Sequence, residues 1–259
     1  MSAFAAQRPG RLKGAARPAT LYSRPVKVAE IRRYPVKSML GELVPSVQIG
    51  QRGLLGDRLW AVRDPDGKFG SGKNTRRFRR MPGLFELRAR GAEGAPVVEL
   101  PDGRHFTADD PDGHQAVSEA LDRTVTLVPE GDVPHHDEGP VSLITTAAVR
   151  RLTELTGPEP NGLDVDPLRF RANLLIDLPG RGFPEEDWLG RSLRVGPDVV
   201  LRPVRQLTRC VMIDMAQDRA GQRSDLLKAL AEQHDLTFGI FATVERPGRV
   251  TVGDACCWT

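Results

Sequence analysis

The sequence has no run of about 18 apolar residues, so no transmembrane helix is expected. Cysteine is scarce. Cys210 and the adjacent Cys256 and Cys257 make an odd count of three with no repeated spacing, which argues against a secreted disulfide scaffold and for a reducing, cytoplasmic setting. Neither sign of charge is in great excess: 37 basic residues against 34 acidic ones is too even a balance for nucleic acid to be the main partner. The first 24 residues lack both acids and an apolar core, which excludes a secretory signal. Their arginines (Arg8, Arg11, Arg17, Arg24) leave two readings open, an organellar transit segment or a basic tail.

What is present is enough for a large core. At 259 residues with 39% hydrophobic content, the chain can fold as one large or two small domains. Alternation over Val26–Val36 and Gly41–Ile49 predicts two half-buried strands. Asp64-Pro65-Asp66-Gly67 predicts a hairpin turn, and short strands at Leu84–Ala89, Val97–Leu100 and Val125–Val128 follow, with one helical stretch over Gly113–Leu121. Prolines, glycines and acids in Pro129–Pro140 mark an exposed connection. Beyond it, Thr145 or Thr146 can cap a helix to about Leu155, and Ser224–Gln233 has the apolar spacing of another. Strands are expected at Phe170–Asp177, Ser192–Val195, Val199–Val204, Phe238–Val244 and Val250–Val252. The fold class is mainly β with a few helices, divided as a basic tail (1–25), a β-barrel-like domain (26–130) and a second β-barrel domain (140–259).

Four local patterns bear on chemistry. Gly67 to Lys73 satisfies the first seven positions of a phosphate-binding loop, but Asn74 stands where Mg²⁺ needs Ser or Thr and no helical pattern follows, so nucleotide hydrolysis is set aside. The same stretch concentrates Lys73, Arg76, Arg77, Arg79 and Arg80, a solvated run or an anion- or partner-binding surface. His135-His136-Asp137-Glu138 holds metal-ligating residue types, yet adjacent residues rarely converge on one ion, and a solvent-exposed connector is expected. Cys210 follows the predicted strand Val199–Val204, beside Arg209, which would favour a thiolate. Local chemistry alone leaves it open between a reactive thiol and an inert core residue.

Taken together, several segments resemble one family. Tyr34-Pro35-Val36-Lys37-Ser38, then Gly53-Leu54-Leu55-Gly56-Asp57-Arg58-Leu59-Trp60, then Phe170-Arg171-Ala172-Asn173, then Thr208-Arg209-Cys210 are similar in order and spacing to MOSC-domain proteins with an N-terminal MOSC β-barrel domain. That family includes the mitochondrial amidoxime-reducing component and bacterial relatives. The resemblance implies a molybdenum–pterin cofactor (Mo-molybdopterin) with Cys210 as metal ligand. It implies cofactor contacts from Lys37, Ser38, Arg58, Thr145, Arg171, Asn173, Thr208 and Arg209, and an acid at Asp214, an even offset from Cys210, that could face substrate and serve proton transfer, with a loop cap as the equal alternative. Alternation along the Phe170–Asp177 strand would aim Arg171 and Asn173 to one face.

The activity so implied is reduction of N-hydroxylated or N-oxygenated small molecules. The chain has no dinucleotide fingerprint, and three cysteines cannot hold a further four-cysteine iron–sulfur cluster, so a separate electron-donor protein, ferredoxin or flavoprotein in type, is the expected partner. The alternative is a sulfur or molybdenum-cofactor carrier that uses Cys210 without redox turnover.

Overall fold

The structure, a computed structural model, describes residues 25–136 and 139–258. The basic tail expected over the first residues and the pair Asp137–Glu138 therefore lie outside the described residues, apart from Pro25. Among the described residues no helix is long and apolar enough to cross a membrane.

The architecture is mostly β, built on a curled, half-barrel sheet of eight strands. Their order is Cys256–Trp258, Leu193–Val195, Val199–Thr208, Thr237–Arg246, Val141–Thr145, Leu174–Asp177, Lys27–Arg33 and Glu42–Leu43. Neighbours are antiparallel except Val141–Thr145 and Leu174–Asp177, which run parallel because helix α2 (Thr146–Thr156) carries the chain across between them. The first strand of the chain thus completes a sheet otherwise made by its second half. Ser46–Gly50 likewise pairs with Gly248–Thr251, joining segments some 200 residues apart. Inside the curl, Val28, Ile31, Leu143, Leu174, Ile176, Leu201 and Ile240 form a closed apolar core.

Residues between about 60 and 129 make smaller sheets, Thr126–Pro129 with Trp60–Arg63, Phe69–Ser71 and Phe78–Arg80, and His105–Thr107 with Val97–Glu99 and Arg88–Arg90. Helix α1 (Pro111–Ala120) begins at Asp110, whose side chain accepts from Asp112 N, and it closes a second core around Leu84, Val98 and Val117. A third core, with Phe170, Leu226, Leu230 and Phe238, holds α2 and α3 (Leu226–Gln233) on the outer face of the large sheet.

Four expectations are corrected. In place of the Leu84–Ala89 strand stand a 3-10 turn over Pro82–Phe85 and a strand over Arg88–Arg90. The Gly41–Ile49 strand is broken into Glu42–Leu43 and Ser46–Gly50, with Pro45 in the break. The Phe170–Asp177 strand begins only at Leu174. Asp166 caps a 3-10 turn over Pro167–Phe170 and Arg171 sits in the left-handed region at φ 52°, so Arg171 and Asn173 are not alternate residues of one strand. The connector histidines are not exposed, for reasons that the pocket makes plain.

Candidate functional site

The strand Val199–Thr208 ends beside a pocket of about 140 Å³, and the chain leaves it as Arg209-Cys210 before a single 3-10 turn over Val211–Ile213. Cys210 is extended, half-buried and on the pocket wall. Arg209 fixes it in place. Its backbone N–H donates to Leu236 O at 2.7 Å, Nε to Phe238 O at 2.8 Å and Nη1 to Phe170 O at 3.0 Å, so Arg209 ties the cysteine's segment to two others, at Leu236–Phe238 and at Phe170. Its Nη2 is enclosed with no hydrogen-bond partner among the described residues. Burial pulls the Arg209 guanidinium down to about 10, against the opposing pull of Cys210, Tyr34 and Glu185, which leaves it cationic at neutral pH.

The room for that guanidinium comes from Gly239, a position the sequence reading passed over. Gly239 has φ +75°, and a Cβ there would stand 2.5 Å from Ile144 Cγ2, 2.6 Å from Leu143 O and 3.3 Å from Arg209 Nη2. Gly239→Ala is expected to cost roughly 1–3 kcal/mol through strain and overpacking. A thermal midpoint unchanged from wild type would refute that expectation.

The segments that carry Lys37 and Arg58 are held together by their own backbone. Arg58 N donates to Tyr34 O at 2.7 Å, Lys37 N to Trp60 O at 2.7 Å, and Tyr34 N to Asp57 Oδ1 at 2.8 Å. Ser38, at φ 68°, turns the chain and donates its hydroxyl to Gly70 O at 3.0 Å. Arg58 pairs with buried Asp57 and donates to Arg171 O at 3.0 Å. Arg171 donates to Met39 O at 2.6 Å, and both guanidiniums lie over the Tyr34 ring at 4.8 Å and 4.4 Å. Asn173 accepts from Ser142 N and Oγ and donates to Arg32 O, locking its amide. Cations from both halves of the chain are thus immobilised around one cavity.

Eight of the residues singled out from sequence line this pocket: Lys37, Ser38, Arg58, Arg171, Asn173, Thr208, Arg209 and Cys210. Two do not. Thr145 is buried as the N-cap of α2, where its Oγ1 accepts from Ala148 N at 3.0 Å and donates to Glu185 Oε2 at 2.8 Å. Of the two readings of Asp214, an acid facing substrate or a loop cap, the geometry fits the second: it follows the Val211–Ile213 turn and accepts from Leu226 N at 3.1 Å at the start of α3. Ser142, three residues before Thr145 in the strand Val141–Thr145, lines the pocket instead.

Lys73, Arg169, Met212 and His136 also line the cavity. Arg169 is wholly buried against Glu159, with 2.6 Å and 2.8 Å hydrogen bonds, and no sequence signal separates it from a surface arginine. His135 is 1% exposed because Lys37 Nζ donates to its carbonyl at 2.8 Å and its own N–H donates to Glu130. Burial above all drives both histidines down to about 4, so they are neutral at physiological pH.

Glu185 is a further buried acid on the far side of Thr145. Burial pushes its carboxyl up to about 8, and its Oε1 has no hydrogen-bond partner among the described residues. The folded state therefore holds a proton that the unfolded chain releases near pH 4.5, so stability from this group is complete below that pH and is lost as pH rises toward 8. Glu185→Gln should remove a slope of at most roughly 1.4 kcal/mol per pH unit between those limits, read in parallel urea titrations. Equal slopes in wild type and variant would refute the assignment.

With this geometry in place, family models account for nearly the whole described chain. Residues 25–132 match the MOSC N-terminal beta barrel domain and residues 130–256 match the MOSC domain. The chain is a MOSC-domain protein. MOSC domains are associated with molybdenum-cofactor binding and with sulfurase-like proteins. Among solved structures, the YuaD protein from Bacillus subtilis is similar at 15% identity and TM-score 0.49, covering 90% of this chain and 94% of that one. YiiM from Geobacillus stearothermophilus is similar at 17% identity and TM-score 0.36, over 48% of this chain and 55% of that one. No curated protein matches the sequence. In this MOSC-domain protein the pocket is therefore shared between the two matched regions, with Lys37 and Arg58 from the first and Arg171, Arg209 and Cys210 from the second.

Proposed function

We propose that the pocket binds a molybdenum–pterin cofactor with Cys210 as the protein's metal ligand, and that the protein is an oxidoreductase acting on N-hydroxylated or N-oxygenated small molecules. The observation that carries this reading is the half-exposed thiol of Cys210 on the wall of a pocket whose other walls carry Lys37, Arg58, Arg171 and Arg209. The donor set suits the group. Thiolate is a ligand that molybdenum favours, and fixed guanidinium and ammonium groups suit a phosphate dianion. The enclosed, unpartnered Nη2 of Arg209 is a donor that such an anion would satisfy.

When bound, the cofactor supplies two-electron redox chemistry at the metal. The chain's own residues bind and orient. Lys37, Arg58 and Arg171 are anchored to backbone carbonyls before any ligand arrives, so little side-chain entropy remains to be lost on binding. The overall reaction cleaves the N–O bond, consumes two electrons and two protons, and releases water. The electrons come from a separate donor protein. The exposed Arg76 and Arg80 are a docking surface for an acidic one, since Arg79 is spent on Asp64 and Asp66.

The test is protein purified from a host that makes the cofactor. Near one molybdenum and one pterin per chain, and reduction of benzamidoxime with dithionite-reduced methyl viologen, are the expected results. Metal and pterin without turnover would favour a cofactor or sulfur carrier, and absence of both would overturn the reading.

A further inference from the structure

Three cations surround one ring. Lys37 Nζ lies 5.0 Å from the Phe78 centroid, Lys73 Nζ 5.2 Å and Arg77 Cζ 5.3 Å. Lys37 is bound to the His135 carbonyl, and Arg77 donates to Pro134 O. Lys73 makes no hydrogen bond or ion pair among the described residues and lines the pocket, so its charge is uncompensated in a neighbourhood already positive.

Exposure separates the floor of the pocket from its mouth. Lys37, Ser38, Arg171 and Asn173 are buried, whereas Cys210, Met212 and Lys73 are half-buried and Thr208 is exposed. Lys73 therefore belongs to the mouth, at the half-buried level of Cys210, Arg58 and Arg209 and above the buried Lys37 and Arg171. The packing agrees. A Cβ on Gly72 would stand 2.7 Å from Met212 Cγ and 2.9 Å from Met215 Sδ, so the backbone next to Lys73 lies close to the side chain two residues beyond Cys210, with no room for a larger residue. Ser71 Oγ also reaches Met212 Sδ at 3.9 Å. The outer part of the pocket thus combines half-buried Lys73 and Met212 with exposed Thr208, above the buried apolar side chains of Leu207 and Phe241.

Resting on the reductase reading above, we propose that Lys73 selects the substrate: the mouth takes small organic molecules that carry a carboxylate beside an apolar body, with the acid on Lys73 and the reducible N–O group toward Cys210. The reaction balance is that given above, with viologen as the electron source in the test.

Benzamidoxime and its 4-carboxy derivative differ only in the charge. Wild type is expected to show a KM about tenfold lower for the carboxylate. Lys73→Gln should bring the ratio of the two KM values to about one, and Lys73→Arg should restore it. Equal KM values in wild type, or a ratio that survives Lys73→Gln, would overturn the proposal. If neither compound is reduced, the reductase reading fails, and calorimetric titration of the same protein with 4-carboxybenzamide and benzamide decides the site by itself. Tighter binding of the anion that Lys73→Gln abolishes supports the site, and equal binding removes it.

Discussion

Cys210→Ala is expected to reduce the molybdenum content of protein purified from a cofactor-competent host from near one atom per chain to background, and to abolish amidoxime reduction, while leaving the fold intact. The second half of that expectation follows from the surroundings. Cys210 is half-buried, its side chain caps nothing at the Val211–Ile213 turn, and the loop is held by the backbone and guanidinium of its neighbour Arg209. Loss of a sulfur at such a position should cost about 1 kcal/mol or less. Elemental analysis beside a thermal melt separates the outcomes. Molybdenum retained at the wild-type level would sink Cys210 as the ligand, and a collapsed melt would reassign it to the structural core.

Arg169→Met is expected to destabilise the protein by about 3–5 kcal/mol, because it strands Glu159 in a buried position. The pair is enclosed, with side-chain exposures of 0% and 7%, and Arg169 also donates to Gly221 O at 2.7 Å. Although burial alone would raise it, the Arg169 guanidinium holds the Glu159 carboxyl below its usual range. A depressed carboxylate lends stability that is present above the unfolded value of 4.5 and lost as pH falls through the folded one, so the wild type should weaken in acid partly through this pair. The double variant Arg169→Met, Glu159→Gln removes the stranded charge and should recover much of the loss. Urea midpoints for the two variants measure both effects. A single variant as stable as wild type would show that the pair does not hold the loops beneath the pocket.

Local signals made part of this molecule legible. The Pro–Gly turn at Asp64–Gly67 stands between strands Trp60–Arg63 and Phe69–Ser71, and α2 starts at the threonine cap expected for it. Cys210 was placed after a strand end, and it follows Val199–Thr208. Eight of the site residues were reachable because their segments keep a family's order and spacing, and the pocket they line joins them.

Other features have no local signal. Nothing local marks Arg169 and Glu159 as an enclosed pair, and His135 reads as exposed until Lys37, 98 residues away in sequence, donates to its carbonyl. Thr145 and Asp214 carry suitable oxygens, yet both are spent on helix starts, at Ala148 N and Leu226 N. The left-handed turn at Arg171 shortened the expected strand, because a capped 3-10 turn at Pro167 competes with extension in a stretch that alternation alone would call β.

The sequence by itself determined the chemistry available: a lone cysteine beside an arginine, cations in two separated halves, and elements fixed by turn residues, caps and apolar period. Only the tertiary structure decided which of those groups meet. Lys27–Arg33 joins Leu174–Asp177, and Tyr34–Lys37 zips onto Arg58–Trp60, through backbone hydrogen bonds that carry no residue code, so the pairing is set by how the whole apolar core closes. That closure brings Lys37 and Arg58 to the pocket of Cys210, turns Asp214 away from it, and leaves Lys73 at the mouth with no hydrogen bond or ion pair among the described residues.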